Sequence, residues 1–226
     1  MLGQMMSMPL LISNLIEHAD RHHGNAEIVS RRVEGDIHRT TYSQIHARSK
    51  RLANALGALG VKHGQMVATL AWNGYRHMEL YFGVSGSGAV LHTLNPRLHP
   101  DQVVYIADHA EDQVLCFDLT FAPIIAAVAK RLKTVKHFVA LCDADKLPVI
   151  EGAEGEKIEV LCYETLLAQA SPDYAWPQFD ENTASSMCYT SGTTGNPKGV
   201  LYSHRSTLLH TYAGAMPDAL NISARD

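Results

Sequence analysis

Cysteine is scarce and unpaired in this 226-residue chain. Cys116, Cys142, Cys162 and Cys188 stand apart, each in or beside an apolar run, with no Cys-x-x-Cys pair. That spacing argues against a disulfide framework or a cysteine-built zinc site, and suits buried, reduced thiols in a cytoplasmic protein. Long hydrophobic runs are missing as well. The start, from Met1 to Pro9, lacks the positive region of a secretory leader, and the apolar Leu10-Leu11-Ile12 is soon broken by Asn14 and Glu17. Nothing approaches the length of a transmembrane segment. Nor does charge of one sign dominate: the formal net charge is −4, which gives no support for nucleic-acid binding. The one basic cluster, Lys130-Arg131 with Lys133 and Lys136, reads as the end and exit of a helix, where positive charge complements the dipole. Internal repeats and low-complexity tracts are absent. Thirteen histidines include no His-Glu-x-x-His, and the His18/His22 pair has no third partner at ligand spacing, so solvated helix histidines are expected.

What is present is an ordinary globular composition, 46% apolar and 19% charged, enough for a substantial core in one large α/β domain or two small ones. Pro9 to Gly24 reads as a helix with Leu11, Leu15, Ile16 and Ala19 on one face. Ile28 to Val33 and Ile37 to Thr40, parted by Glu34-Gly35-Asp36, read as a β-hairpin. Thr41 and Gln44 form a capping box for a helix running to Gly60. Then the pattern alternates. Strand 66–71 precedes helix 74–84, strand 89–94 precedes helix 100–110, strand 113–117 precedes helix 121–132, and strand 137–142 follows. Residues 143–157 read as a surface excursion, Ile158 to Leu161 as a strand, Glu164 to Ala170 as a helix, and Ser171 to Asp180 as a connector. Such alternation implies parallel pairing through right-handed crossovers, hence a doubly wound, mostly parallel α/β sheet with flanking helices and an N-terminal β-hairpin.

The most informative stretch is residues 189–200, Tyr-Thr-Ser-Gly-Thr-Thr-Gly-Asn-Pro-Lys-Gly-Val. A strand-like run precedes it, and Val200-Leu201-Tyr202 reads as a second strand before Ser203 caps a helix. Glycines let backbone N–H groups approach anionic oxygens, Ser and Thr hydroxyls add neutral donors, and Lys198 supplies a mobile charge, so the loop suits polyphosphate. A Walker A loop does not fit. Pro197 stands where its second glycine belongs, Gly199 stands where its Ser or Thr belongs, and the loop feeds a strand rather than a helix. A dinucleotide fingerprint fails too: Gly86-x-Gly88 is followed by Leu91 at the third glycine's place, so Gly83 to Gly88 reads as close packing and a helix stop. His204-Arg205, at the start of the last helix, is consistent with either a ligand-facing or a surface position.

Thr190 through Gly199 resembles, without a substitution, the signature loop of the adenylate-forming (AMP-binding) superfamily, which includes acyl-CoA synthetases, luciferases and the adenylation domains of peptide synthetases. Thr41-Tyr42-Ser43-Gln44, Ala71-Trp72-Asn73 and Asn95-Pro96-Arg97-Leu98 extend the likeness along nearly the whole chain. The wording is most similar to bacterial medium- and long-chain fatty-acyl-CoA ligases and to 3-(methylthio)propionyl-CoA ligases. This resemblance implies an acid-thiol ligase that uses ATP, Mg2+ and coenzyme A. A carboxylic acid, medium- or long-chain or methylthio-propionate-like, becomes acyl-AMP and then a thioester. It implies ATP/phosphate contacts from Thr190, Ser191, Gly192, Thr193, Thr194, Gly195 and Lys198, a catalytic role for Lys198, and magnesium positioning by Thr190. A homodimeric full-length parent is a further expectation.

Family members are more than twice as long. The family's Tyr-Gly-x-Thr-Glu motif, ribose-binding aspartate, hinge and C-terminal lysine are not found in these residues. The expectation is therefore that residues 1–226 form the N-terminal part of the AMP-binding domain, without the C-terminal domain, and are inactive alone. A non-catalytic nucleotide- or partner-binding module and a phosphate-loop NTPase are the rival readings.

Overall fold

The computed structural model describes residues 1, 3–152, 155–190 and 196–224. Its strands and helices are β1 (Glu27–Arg31), β2 (Ile37–Thr41), β3 (Met66–Leu70), β4 (Val90–Thr93), β5 (Val114–Phe117), β6 (His137–Ala140), β7 (Ile150–Glu151), β8 (Lys157–Ile158), β9 (Val160–Cys162), β10 (Ala184–Thr190) and β11 (Lys198–Ser203), with α1 (Ile12–His23), α2 (Tyr42–Ala58), α3 (Tyr75–Gly86), α4 (Pro100–His109), α5 (Ala122–Val128), α6 (Tyr163–Gln169) and α7 (His204–Ala215). The central sheet has seven strands in the order β11-β10-β4-β3-β5-β6-β9. All neighbours pair in parallel except β10 with β11, an antiparallel edge. The expected doubly wound sheet and N-terminal hairpin are both present.

Period-two alternation sorts the strand residues onto two helical layers. Ala68, Leu70, Leu115 and Phe117 pack with Val103, Ile106, Ile125 and Val128 of α4 and α5. Val67, Leu91, Val114 and Cys116 pack on the opposite face with Leu52, Leu56, Leu80, Val84 and Leu167 of α2, α3 and α6. The capping box predicted at Thr41 is complete, with Gln44 returning the bond. Gly83 and Gly86 do serve close packing: a Cβ at Gly83 would lie 2.8 Å from Leu52 Cδ2, and one at Gly86 would lie 2.7 Å from the Trp176 ring. Gly88 closes the helix with φ +85°, a conformation that favours glycine.

Three expected elements differ. The helix anticipated over 121–132 stops at Val128 and tightens into a 3-10 turn at Ala129–Arg131, so Lys130 and Arg131 leave it early. The surface excursion carries its own short hairpin, β7 with β8, where Ile150 and Ile158 are buried under the α4/α5 layer. The strand expected over 158–161 is split between that hairpin and β9, because only Val160 onward reaches the edge of β6. Cys116, Cys142 and Cys162 are buried free thiols, while Cys188 is half-buried. His18 and His22 are exposed on α1, with ring centroids 4.5 Å apart and the rings tilted by 44°. Among the described residues no helix is long and apolar enough to cross a membrane.

A charged lattice joins the second helical layer to the hairpin. The Arg76 guanidinium, 6% exposed, donates to Glu164 at 2.8 Å, Glu34 at 2.7 Å, Asp143 at 2.6 Å and the Leu141 carbonyl at 2.9 Å. Arg48 spans Glu79 at 2.6 Å and Glu164 at 3.0 Å, and the Tyr163 hydroxyl donates to Glu79 at 2.7 Å. Removing one member of such a lattice strands charge in the interior. Arg76→Met is expected to lower unfolding free energy by about 3–5 kcal/mol. Urea denaturation of the two proteins measures the difference.

Candidate functional site: the phosphate-loop hairpin

In an open α/β sheet the default ligand site is the crevice where strand order reverses, which here lies beyond the carboxyl ends of β3 and β5. The protein's own groups crowd that place, leaving a small pocket of about 30 Å³. The Trp72 amide donates to Asp118 at 2.7 Å, and Glu34 of the β1–β2 turn reaches in to Arg76. Burial pushes the Asp118 carboxyl up to about 6. An apolar cleft of about 480 Å³ lies between α1, β1 and α3, lined by Leu15, Ile28, Met78, Tyr81 and Phe82. It holds none of the sequence-predicted site residues among those described.

Of those residues, Thr190 ends β10 and Lys198 begins β11. Strands β10 and β11 pair with Tyr189 opposite Gly199 and Thr190 opposite Lys198, so the loop leaves one edge hairpin and returns into it. This is the strand–loop–strand context that separates it from a Walker loop. Thr190 and Lys198 are both exposed at the loop's two roots, and the Thr190 hydroxyl lies 3.5 Å from the Lys198 carbonyl. Among the described residues no ion pair engages Lys198, which leaves its charge available. Ser191, Gly192, Thr193, Thr194 and Gly195 lie outside the described residues. Gly199 has a packing reason to be glycine: a Cβ there would come within 3.1 Å of the Tyr189 ring and 3.3 Å of Met187 Sδ.

Residues from neighbouring elements complete the loop's base. The Tyr189 hydroxyl meets His109 Nδ1 of α4 at 2.6 Å. A small cavity of about 60 Å³ lies between β4 and the loop roots, lined by His92, Thr93, Asn95, Tyr189, Thr190 and Pro197 among others. His92, inside the apolar strand β4, is fully buried and holds Asp112 through Nδ1 at 3.0 and 2.9 Å, and its ring stands 5.3 Å from that of Tyr189. Sequence reasoning missed His92, Asp112, His109 and Tyr189. The available signal was a histidine within Ala89-Val90-Leu91-His92-Thr93-Leu94, where burial is expected and an imidazole therefore needs a partner.

Behind the loop, β10 is pinned by a register shift at Ser185, where the Ser85 hydroxyl of α3 donates to the Ser185 carbonyl at 2.8 Å. His204 takes neither of the positions its sequence allowed. It is fully buried, and its Nδ1 accepts from the Ile12 amide at the start of α1 at 3.1 Å. Glu181 adds a second stitch, accepting from the Leu10 amide at 2.8 Å and pairing with Arg205. The chain's start is thus fastened to the corner that follows the phosphate loop.

Residues 15–226 match the family described as AMP-binding enzyme, and the chain belongs to that family. Over 228 residues it is 52% identical to the 3-methylmercaptopropionyl-CoA ligase of Ruegeria lacuscaerulensis, a match covering 100% of this chain and 41% of the relative. It is 50% identical over 226 residues to the medium-chain-fatty-acid–CoA ligase of Ectopseudomonas oleovorans, covering 100% and 40% respectively. The fold is shared with the crystal structure of a Brucella canis acyl-CoA synthetase, at a TM-score of 0.75 and 20% identity, over 96% of this chain and 39% of that one. The chain therefore spans about 40% of the length of the curated relatives it matches.

Burial holds His204 neutral, down to about 4 from an ordinary 6.5. The folded state thus binds fewer protons than the unfolded one between those values. The stabilisation is complete above about pH 6.5 and is lost as pH falls toward 4, amounting to about 3 kcal/mol at the linkage slope of 1.36 kcal/mol per unit. His204→Asn, which keeps an acceptor near the Nδ1 position, is expected to flatten that part of the stability–pH curve. Urea unfolding at pH 7, 5.5 and 4.5 checks it, and equal slopes would remove His204 from the pH dependence.

Proposed function

We propose that this chain carries the nucleotide-phosphate site of an AMP-forming acid–CoA ligase. The observation that carries the reading is the Thr190–Gly199 loop, set between paired strands at the carboxyl end of the sheet, in a chain half identical to proteins named as CoA ligases. In the proposed reaction a carboxylate oxygen attacks the α-phosphorus of ATP, the bond to the β-phosphate bridge breaks, and acyl-AMP and pyrophosphate form. The thiol of coenzyme A then attacks the acyl carbon, releasing AMP and a proton and leaving the thioester. The substrate class we favour is a methylthio-propionate-like or medium- to long-chain acid, and the location cytoplasmic. We read residues 1–226 as the N-terminal part of the AMP-binding domain, a reading supported by the 41% and 40% spans of the relatives.

The chemical demand of the first step is to hold a leaving pyrophosphate and offset its charge. Ser191, Thr193 and Thr194 are assigned as hydroxyl donors to phosphate oxygens, with Gly192 and Gly195 admitting the backbone closely. Lys198, exposed and without an ion-pair partner among the described residues, is assigned to the β- and γ-phosphates. Thr190, exposed at the loop root with its hydroxyl 3.5 Å from the Lys198 carbonyl, offers an oxygen of the type that magnesium takes, and is assigned to position it. Magnesium, when bound, neutralises charge on the phosphate oxygens.

Carboxylate-dependent exchange of labelled pyrophosphate into ATP by the full-length gene product is the test. Exchange with at least one acid is expected, releasing pyrophosphate and AMP. Release of phosphate and ADP, or no exchange across short, medium and long acids, would overturn the assignment. Lys198→Ala is expected to lower kcat/KM for ATP about tenfold to hundredfold, the worth of a charge-assisted phosphate contact of about 1.5–3 kcal/mol. Its melting temperature should be unchanged, because the side chain is exposed.

A further inference from the structure

The roots of the phosphate loop reach beyond the sheet that carries them. Parallel pairing of β10 with β4 ends at Cys188 and Thr93, so the backbones of Tyr189 and Thr190 pair only with β11. β11 is itself the edge strand, and its residues Lys198, Gly199 and Val200 are exposed. Across the roots the Thr190 hydroxyl lies 3.5 Å from the Lys198 carbonyl, at the limit of a hydrogen bond. A two-stranded end with so few ties is costly to hold in one conformation.

Among the described residues, one side-chain hydrogen bond reaches this end from outside the hairpin. Tyr189 Oη meets Nδ1 of His109, in the last turn of α4, at 2.6 Å. A phenol hydroxyl both gives and takes a hydrogen bond, so the contact holds whichever ring nitrogen of His109 carries the proton, and in the imidazolium too. Burial pushes the Tyr189 hydroxyl above its ordinary value, which keeps it protonated. His109 is steadied in turn by Tyr105, whose ring stacks 5.5 Å away at 29°. The Tyr189 ring has further contacts. It lies opposite Gly199 across the strand pair, where an added Cβ would come within 3.1 Å of it, and the His92 ring stands 5.3 Å away.

We propose that Tyr189 and His109 form a clamp that keeps the two roots of the phosphate loop in register before nucleotide arrives. Thr190 directly follows Tyr189, and Lys198 directly precedes Gly199. A ring seated against Gly199 and anchored on α4 therefore ties both root residues to one rigid helix. Tyr189 and His109 are positioning residues, and neither touches the nucleotide. Without the clamp only a fraction of the free molecules holds the loop ready, and affinity for ATP falls by that fraction. Once ATP is bound, its own contacts order the loop, so the bound complex reacts as before. The inference rests on the phosphate-loop reading above.

The test compares Tyr189→Phe, His109→Leu, His109→Asn and the double variant Tyr189→Phe/His109→Leu of the full-length gene product in carboxylate-dependent pyrophosphate exchange. Tyr189→Phe keeps the ring beside Gly199 and deletes only the hydroxyl. It is expected to raise KM for ATP about two- to tenfold, the worth of one net hydrogen bond, with kcat unchanged. His109→Leu should raise KM as well, and the double variant should be no worse than His109→Leu alone, because one bond serves both residues. His109→Asn, which places an amide near the Nδ1 position, should recover most of the loss. An unchanged KM in Tyr189→Phe, or additive losses in the double variant, while the wild type exchanges, overturns the inference and leaves the phosphate loop intact. So does a fall in kcat at constant KM, the sign of a smaller folded fraction. No exchange by the wild-type protein overturns the phosphate-loop reading itself and the inference with it.

Discussion

The parallel pairing of β10 with β4 is the constraint on which the site depends. After β9 the chain has reached one edge of the sheet, and it must return across the whole sheet to lie beside β4. Ser186, Met187 and Cys188 then align with Leu91, His92 and Thr93, which brings the loop's root over the end of β4. The register also sets His92, Thr93 and Asn95 beside Tyr189, Thr190 and Pro197 around the small cavity at the loop's root. The connector 171–180 makes the return trip specific. Its Trp176 fills the groove opened by Gly86 and donates to His46 at 3.0 Å.

Two kinds of polar burial hold this arrangement, and they do different work. The Arg48/Arg76 lattice gathers four carboxylates from separate elements, and it crowds the crevice that is the default ligand site, where a pocket of about 30 Å³ remains. Buried ion pairs of this type add little net stability over an apolar replacement, but they penalise any packing in which one partner is left alone. His204 acts through neutrality. As an uncharged acceptor it satisfies a helix-start amide that has no partner within its own helix, and so joins α1 to the corner after the loop. The site is thus framed by charge on one side of the molecule and by a neutral imidazole on the other.

The loop's own chemistry is local, and this decides which parts could be read directly. Spacing of Gly, Ser, Thr, Pro and Lys within ten residues can be read as a phosphate-type loop because the proposed contacts all converge on one small anion. Hydrophobic alternation likewise reports two covered faces, since each strand residue must choose a layer; Leu115 and Cys116 do so on successive positions. The short α5 and the β7–β8 hairpin were not legible in the same way. Their limits are set by where a neighbouring surface ends, and a run such as Phe121 to Leu132 carries helical periodicity past that point.

By itself the sequence determined the doubly wound sheet, the hairpin and the Thr41 cap, and it carried the family likeness at Thr190–Gly199, because propensity, periodicity and motif spacing are properties of neighbours in the chain. Tertiary structure alone decided that His92 meets Asp112 across 20 positions and that His204 meets Ile12 across 192. It also decided that Glu34 and Arg76 would pair beside the strand-order crevice. Those outcomes depend on which buried polar groups are brought within bonding distance when distant segments pack. No local pattern encodes that, since a lone histidine in an apolar strand announces only that a partner is required, and the fold supplies its identity.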